Sequence, residues 1–249
     1  MSDQRFLRAA CPILAIAILM LLLVAACAPA AGSDPAARPA PAPKVDAALT
    51  AHSGTAKAVL AGGCFWGLQW VFEHVPDVTN VTSGYSGGAA ATANYERVSE
   101  GDTGHAETVE VTYDPSKVSY GQLLRVYFTA ATNPTELNRQ GPDTGTQYRS
   151  VIFYASPEQQ KIATDYIAQL TSAHAFPAPI VTQVVPFKAF YPAEDYHQDY
   201  ARLHPDALYI AINDAPKVVA LQRLLPALYS AHPVIWHDPD PSTIMVDVH

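Results

Sequence analysis

The rhythm of apolar and polar positions divides the chain into three parts. Residues 9–26 are uncharged and almost wholly apolar, and Arg5 and Arg8 precede them. Residues 28–52 have no period. Alanine dominates there, broken by Pro29, Pro35, Pro39, Pro41 and Pro43. From Lys57 onward, periods of two and of about 3.6 residues take turns, as strands and helices require.

Lys57-Ala58-Val59-Leu60-Ala61-Gly62 is a short apolar run and reads as a buried strand. The pattern then predicts a helix over residues 65–74, ended before Pro76. Residues 78–83 alternate and are rich in β-branched side chains, which predicts a strand running into a loop at Gly84-Tyr85-Ser86-Gly87-Gly88. Residues 89–104 have no clean period, and long irregular stretches in compact domains are often functional. Glu107-Thr108-Val109-Glu110-Val111-Thr112-Tyr113 alternates as a strand and stops at Asp114-Pro115.

Ser119 is placed to cap a helix over 120–132, followed by a polar loop over 135–145 and a strand over 148–154. Ser156, with Pro157 behind it, opens a helix reaching about residue 172. A strand over 180–185, a short helix over 193–203 and a helix over 216–225 complete the pattern. Roughly five strands intermingled with four or five helices predict an α/β fold of two layers, with helices against one mixed sheet.

Charge and cysteines change the picture next. The chain has 249 residues and a formal net charge of −8, with no run of Lys and Arg, so nucleic-acid binding is disfavoured. The apolar run 9–26 has the length of a membrane span or of a signal core. Its end, Val24-Ala25-Ala26-Cys27, is a bacterial lipoprotein cleavage box; the alternative is an uncleaved anchor. The expected organisation is a signal peptide at 1–26, lipidation at Cys27, a disordered Ala/Pro-rich tether at 27–53, one domain at 54–230 and an irregular tail at 231–249. That address is the bacterial cell envelope, on the periplasmic face. Ala28, where an aspartate would favour the inner membrane, points to the outer one.

The cysteines are Cys11, Cys27 and Cys64. With the first in the signal and the second acylated, Cys64 is the sole free thiol, and no CxxC pair exists to hold zinc. Cys64 stands in Gly62-Gly63-Cys64-Phe65-Trp66-Gly67, at a strand-to-helix turn. A helix N-terminus favours the thiolate, so one reading is a nucleophile. The other is a small apolar residue packed in a turn. Phe65 and Trp66 are either core or an apolar cup for a methyl-bearing sulfur group. Glu107, after Gly104-His105-Ala106, is either a proton donor in an apolar pocket or a solvated strand residue. His105 is a candidate partner of Cys64 in a Cys–His hydrolase pair. A binding protein using the same pocket without turnover stands as another class.

Taken together, these stretches resemble the A-type peptide-methionine sulfoxide reductases. The motifs are Gly63-Cys64-Phe65-Trp66-Gly67, Gly84-Tyr85-Ser86-Gly87-Gly88, Asn94-Tyr95-Glu96-Arg97-Val98, Gly101-Asp102-Thr103-Gly104-His105-Ala106-Glu107, Gly145-Thr146-Gln147-Tyr148-Arg149-Ser150 and Ala193-Glu194-Asp195-Tyr196-His197-Gln198. The resemblance covers about residues 57–225. It implies a ferredoxin-like sandwich with extra helices and extended coil. It also implies reduction of methionine (S)-sulfoxide, free or in oxidised proteins. By motif position it implies Cys64 as nucleophile, Glu107 as acid, and Tyr85 and Tyr148 as hydroxyl donors to the sulfoxide oxygen. It implies Asp143 as a substrate-positioning group, and Phe65 and Trp66 as the methyl pocket. No cofactor or metal is expected, and a monomer is expected. Many members carry resolving cysteines after the nucleophile; this sequence has none after Cys64. The expected reductant is therefore an external thiol: a thioredoxin-like protein, glutaredoxin or glutathione.

Overall fold

A computed structural model of the protein describes residues 38–237. The expected signal peptide, Cys27 and the end of the expected tail lie outside these residues. β1 (Ala56–Ala61) leads through a tight turn into α1 (Phe65–Glu73), and β2 (Val78–Ser86) returns from it. After α2 (Tyr95–Ser99) comes β3 (Ala106–Tyr113), then α3 (Tyr120–Val126), which widens into a π turn at Tyr127–Ala131. A small hairpin, β4 (Arg139–Gln140) and β5 (Asp143–Thr144), precedes β6 (Val151–Tyr154), α4 (Pro157–Ser172), β7 (Gln183–Pro186) and β8 (Phe190–Pro192). α5 (Tyr200–Leu203) follows. A second π turn, Ile210–Asp214, runs straight into α6 (Ala215–Leu224).

The main sheet has the order β7-β6-β1-β3-β2-β8. Its centre, β6-β1-β3-β2, is antiparallel throughout and arises from a βαββαβ unit, the ferredoxin-like plan expected. β7 adds in parallel at one edge and β8 antiparallel at the other, so the sheet is mixed. β1 reads as a continuous apolar run because both its faces are covered. Ala58 and Leu60 face the helices with Val109, Val111 and Ile152. Val59 and Ala61 face the other side with Val151 and Phe153, under Phe187 and Phe190.

The predicted caps hold. Ser119 and Gln122 form a reciprocal capping box on α3, and Ser156 accepts from Gln159 N at 3.1 Å behind Pro157. Several boundaries move for physical reasons. β2 continues through Gly84 and Tyr85 to Ser86, where a loop was expected, because β3 and β8 pair with it on both sides. Tyr148 lies in a 3-10 turn ahead of β6. The expected helix over 193–203 is two short turns, broken at Asp199 with φ of 56°.

Part of the expected tether, residues 40–46, is docked on the domain. From Ala40 to Asp46 the chain lies against α3 and α4. Its carbonyls accept from Arg125 Nε (Ala40, 2.9 Å), Tyr166 OH (Pro41, 2.7 Å) and Gln169 Nε2 (Ala42, 2.8 Å). Prolines lack an N–H, so a proline-rich strand needs partners mainly for its carbonyls, and these three side chains supply them. Asp46 then closes the N-terminus of α3, accepting from Ser119 Oγ at 2.5 Å and Gly121 N at 2.7 Å. The tail, as far as His237, binds the far end of α1. Ser230 N and Val234 N donate to the carbonyls of His74 and Glu73 at 2.6 and 2.9 Å.

Candidate active site

The site grows from the way β1 ends. Gly62 lies against Thr132, which a Cβ would approach to 2.8 Å. Gly63 has φ of +103°, a left-handed conformation suited to glycine, and a Cβ there would meet Gln140 at 2.7 Å. The chain thereby turns sharply and presents Cys64 as the N-cap residue of α1. Register does the rest. Glu107 lies opposite Tyr85 in the β2–β3 ladder, one residue from the Ala61–Thr108 pair at the end of β1. Its Oε2 accepts the Phe65 N–H at 3.0 Å, so the acid is tied to the same helix terminus as the thiol.

Cys64, Phe65, Trp66, Glu107, Asp143 and Tyr148 line one cavity of about 220 Å³, together with Tyr95 and Tyr209. Six of the expected site residues thus converge. Phe65 and Trp66 form its apolar side, with ring centroids 6.5 Å apart. Trp66 is clamped: Tyr200 stacks on it at 4.0 Å, and its Nε1 donates to His197 Nδ1 at 3.1 Å. His197 must therefore be neutral at Nδ1, and burial holds its pKa below the usual value.

Tyr85, the seventh, is not among the lining residues. It is fully buried behind Phe65, with centroids 5.8 Å apart, and its hydroxyl donates to Glu194 Oε2 at 2.9 Å instead of lining the cavity. Tyr95, whose N–H donates to the other oxygen of Glu194 at 3.0 Å, takes a place on the wall. Tyr209, not named from the sequence, stands just ahead of the π turn Ile210–Asp214 and donates to Asp143. Tyr95 and His197 lay inside motifs already singled out. Tyr209 had no local signal. His105 is not a partner of the thiol. Its Nδ1 accepts from Gly88 N at 3.2 Å and its Nε2 contacts Ala89 O at 3.0 Å, so both ring nitrogens serve the loop and the hydrolase reading loses its base.

Burial sets the charge state of the thiol and the acid. Glu107 is 2% exposed and burial pushes its pKa up to about 8. The Phe65 N–H works against that, and Asp143 and Asp214 add to it. At neutral pH it is a protonated acid. Cys64 does not rest as the thiolate that its helix N-terminus alone predicts. Burial raises its pKa well above 9.0, Glu107 and Asp214 raise it further, and only the Trp66 N–H and Lys217 oppose them. The resting centre is a neutral thiol beside a neutral acid, with Tyr148 also held protonated by burial and by Glu107.

A family model for peptide methionine sulfoxide reductase matches residues 56–226, which contain every residue of this cavity. The chain belongs to that family. A peptide methionine sulfoxide reductase of Mesorhizobium japonicum is 59% identical over 185 residues, covering 74% of this chain and 95% of the relative. One from Synechocystis is 52% identical over 180 residues, covering 72% and 84%. Among solved structures, reduced Mxr1 from Saccharomyces cerevisiae aligns with a TM-score of 0.56 at 30% identity, covering 67% of this chain and 98% of that one. Methionine sulfoxide reductase A of Corynebacterium diphtheriae aligns at 0.53 and 35%, covering 62% and 77%. This peptide methionine sulfoxide reductase reduces oxidised methionine and so repairs oxidised proteins. Its cavity sets the apolar rings of Phe65 and Trp66 beside a protonated carboxyl and a thiol.

Proposed function

We propose that the enzyme reduces the S epimer of methionine sulfoxide by a cycle with a single cysteine. The Cys64 sulfur attacks the sulfoxide sulfur while Glu107 delivers its proton to the oxygen, which is otherwise a poor leaving group. Tyr148 donates a hydrogen bond to that oxygen, and the Tyr209–Asp143 pair orients the substrate. The oxygen, carrying the proton from Glu107, ends on Cys64 as the sulfenic acid, the thiol's proton restores Glu107, and methionine leaves. No cysteine follows Cys64 in these 249 residues, so an external thiol attacks the sulfenic acid and releases water. A second thiol then breaks the mixed disulfide, restoring Cys64 and leaving an oxidised disulfide. A thioredoxin-like protein, glutaredoxin or glutathione fits that role. The observation that carries this reading is the tie between Glu107 and Phe65 N, which holds a neutral acid at the terminus that presents Cys64.

The test is a single turnover with resolved epimers, trapping the product with dimedone. One methionine and one trapped sulfenic acid per chain are expected from the S epimer, and none from the Cys64→Ser variant. Substrate bound without conversion would identify a binding protein instead. The address is proposed on the same footing: the run 9–26 and Val24-Ala25-Ala26-Cys27 support lipidation at Cys27 and an envelope location for a monomeric enzyme. Labelled palmitate should enter the wild-type chain and be absent from Cys27→Ser.

A further inference from the structure

The thiol and the acid have a charged neighbour outside the cavity. Asp214 ends the π turn Ile210–Asp214 and is fully buried. Its Oδ1 accepts from Lys217 Nζ at 3.0 Å, while its Oδ2 has no hydrogen-bond partner among the described residues. Both charged heads press on α1 at Gly67: a Cβ there would lie 2.0 Å from Asp214 Oδ1 and 2.8 Å from Lys217 Nζ. Gly67 is the third residue of α1, and Cys64 caps the same turn. Cys64 and Gly67 thus bracket the first turn of α1.

A merely fastening role fits this pair poorly. A buried ion pair is weak support for stability even when all its atoms are satisfied, and one oxygen of this carboxylate is not. It is also placed where charge matters most. Cys64 is faced by Glu107 from β3, Asp143 from β5, Tyr148 from the 3-10 turn, Tyr95 from α2 and Tyr209 from just ahead of the π turn Ile210–Asp214. All of these are acids or hydroxyls, and among the described residues it is Lys217 that brings a positive charge to the group. We propose that Asp214 and Lys217 are positioning residues of the reaction, setting through the first turn of α1 how readily Cys64 ionises and Glu107 holds its proton. Lys217 offsets the carboxylates around the sulfur, and Asp214 fixes the ammonium against Gly67. The same two groups raise and lower the thiol in the expected senses.

The inference rests on Cys64 being the nucleophile, so its test reads the thiol without substrate. The rate of Cys64 alkylation by iodoacetamide is followed against pH in the wild type, Asp214→Asn, Lys217→Met, Lys217→Arg and the double variant Asp214→Asn/Lys217→Met. Asp214→Asn leaves the cation unopposed and should move the profile to lower pH, with alkylation about tenfold faster near neutrality. Lys217→Met leaves the carboxylate unopposed and should move it to higher pH. Lys217→Arg and the double variant should return it towards wild type. A structural role would move every variant in one direction or change only the melting temperature. Unshifted profiles, or shifts of the same sign in the two single variants, would overturn the proposal. Loss of the Cys64 assignment would show separately, as turnover surviving in Cys64→Ser.

Discussion

Glu107→Gln should make the enzyme both slower and, at neutral pH, more stable. The carboxyl titrates near 8 in the fold against 4.5 when free, because burial disfavours its charged form. For a group raised on folding, the contribution to stability is fully present below pH 4.5 and is lost as pH rises towards 8. By pH 7 the unfolded chain has released this proton and the folded one has not, which costs about 3 kcal/mol of stability. Glutamine keeps an oxygen for the Phe65 N–H and carries no charge to desolvate. Its NH₂ group, left without an acceptor, costs about 1–2 kcal/mol at every pH. The balance is a gain of roughly 1–2 kcal/mol at pH 7 and a loss of similar size at pH 4, with a change of sign between. Loss of the proton donor meanwhile slows sulfenic acid formation by about 10²- to 10⁴-fold. Urea unfolding of both proteins from pH 4 to 8, paired with single-turnover rates, measures the two effects. A stability difference that stays flat with pH would refute the buried, neutral acid. An unchanged rate would refute its role as donor.

The two tyrosines named together in the motifs should behave differently. Tyr148→Phe removes a hydroxyl from the cavity wall and should cost about a hundredfold in kcat, whereas Tyr85→Phe, whose hydroxyl faces Glu194, should cost far less; equal losses would place Tyr85 back at the substrate. Gly63→Ala should lower stability by about 1–3 kcal/mol and activity with it, because φ of +103° and contact with Gln140 leave no room for a Cβ; a melting temperature equal to wild type would contradict this. Asp46→Ala should cost about 1 kcal/mol by opening the N-terminus of α3, read in urea melts, with kcat unchanged.

Much of the site was legible because its chemistry is local. Cys64, Phe65 and Trp66 are consecutive, and a strand, two glycines and a helix suffice to say that the sulfur stands at a helix terminus. The same locality misled on ionisation. A helix terminus alone favours the thiolate, but burial reverses it, with carboxylates brought by β3 and by the π turn Ile210–Asp214. Tyr85 points away from the cavity for a related reason. Its motif resembles one that serves the sulfoxide oxygen, yet the direction of its hydroxyl depends on where Glu194 lands, more than a hundred residues later. Docking of residues 40–46 had no signal in the sequence, because alanine and proline give no period to bury and the partners of their carbonyls sit on Arg125, Tyr166 and Gln169.

The amino-acid order determined what depends on near neighbours: the buried central strand, the caps at Ser119 and Ser156, the single thiol of the domain and the motifs of its family. Tertiary structure decided what depends on charge and reach across the fold. It made Glu107 a neutral acid, left Cys64 a thiol at rest, brought Tyr209 to Asp143, and laid Asp214 and Lys217 against Gly67. Desolvation and Coulomb interaction act through space, between residues whose separation along the chain says nothing of their distance in the molecule.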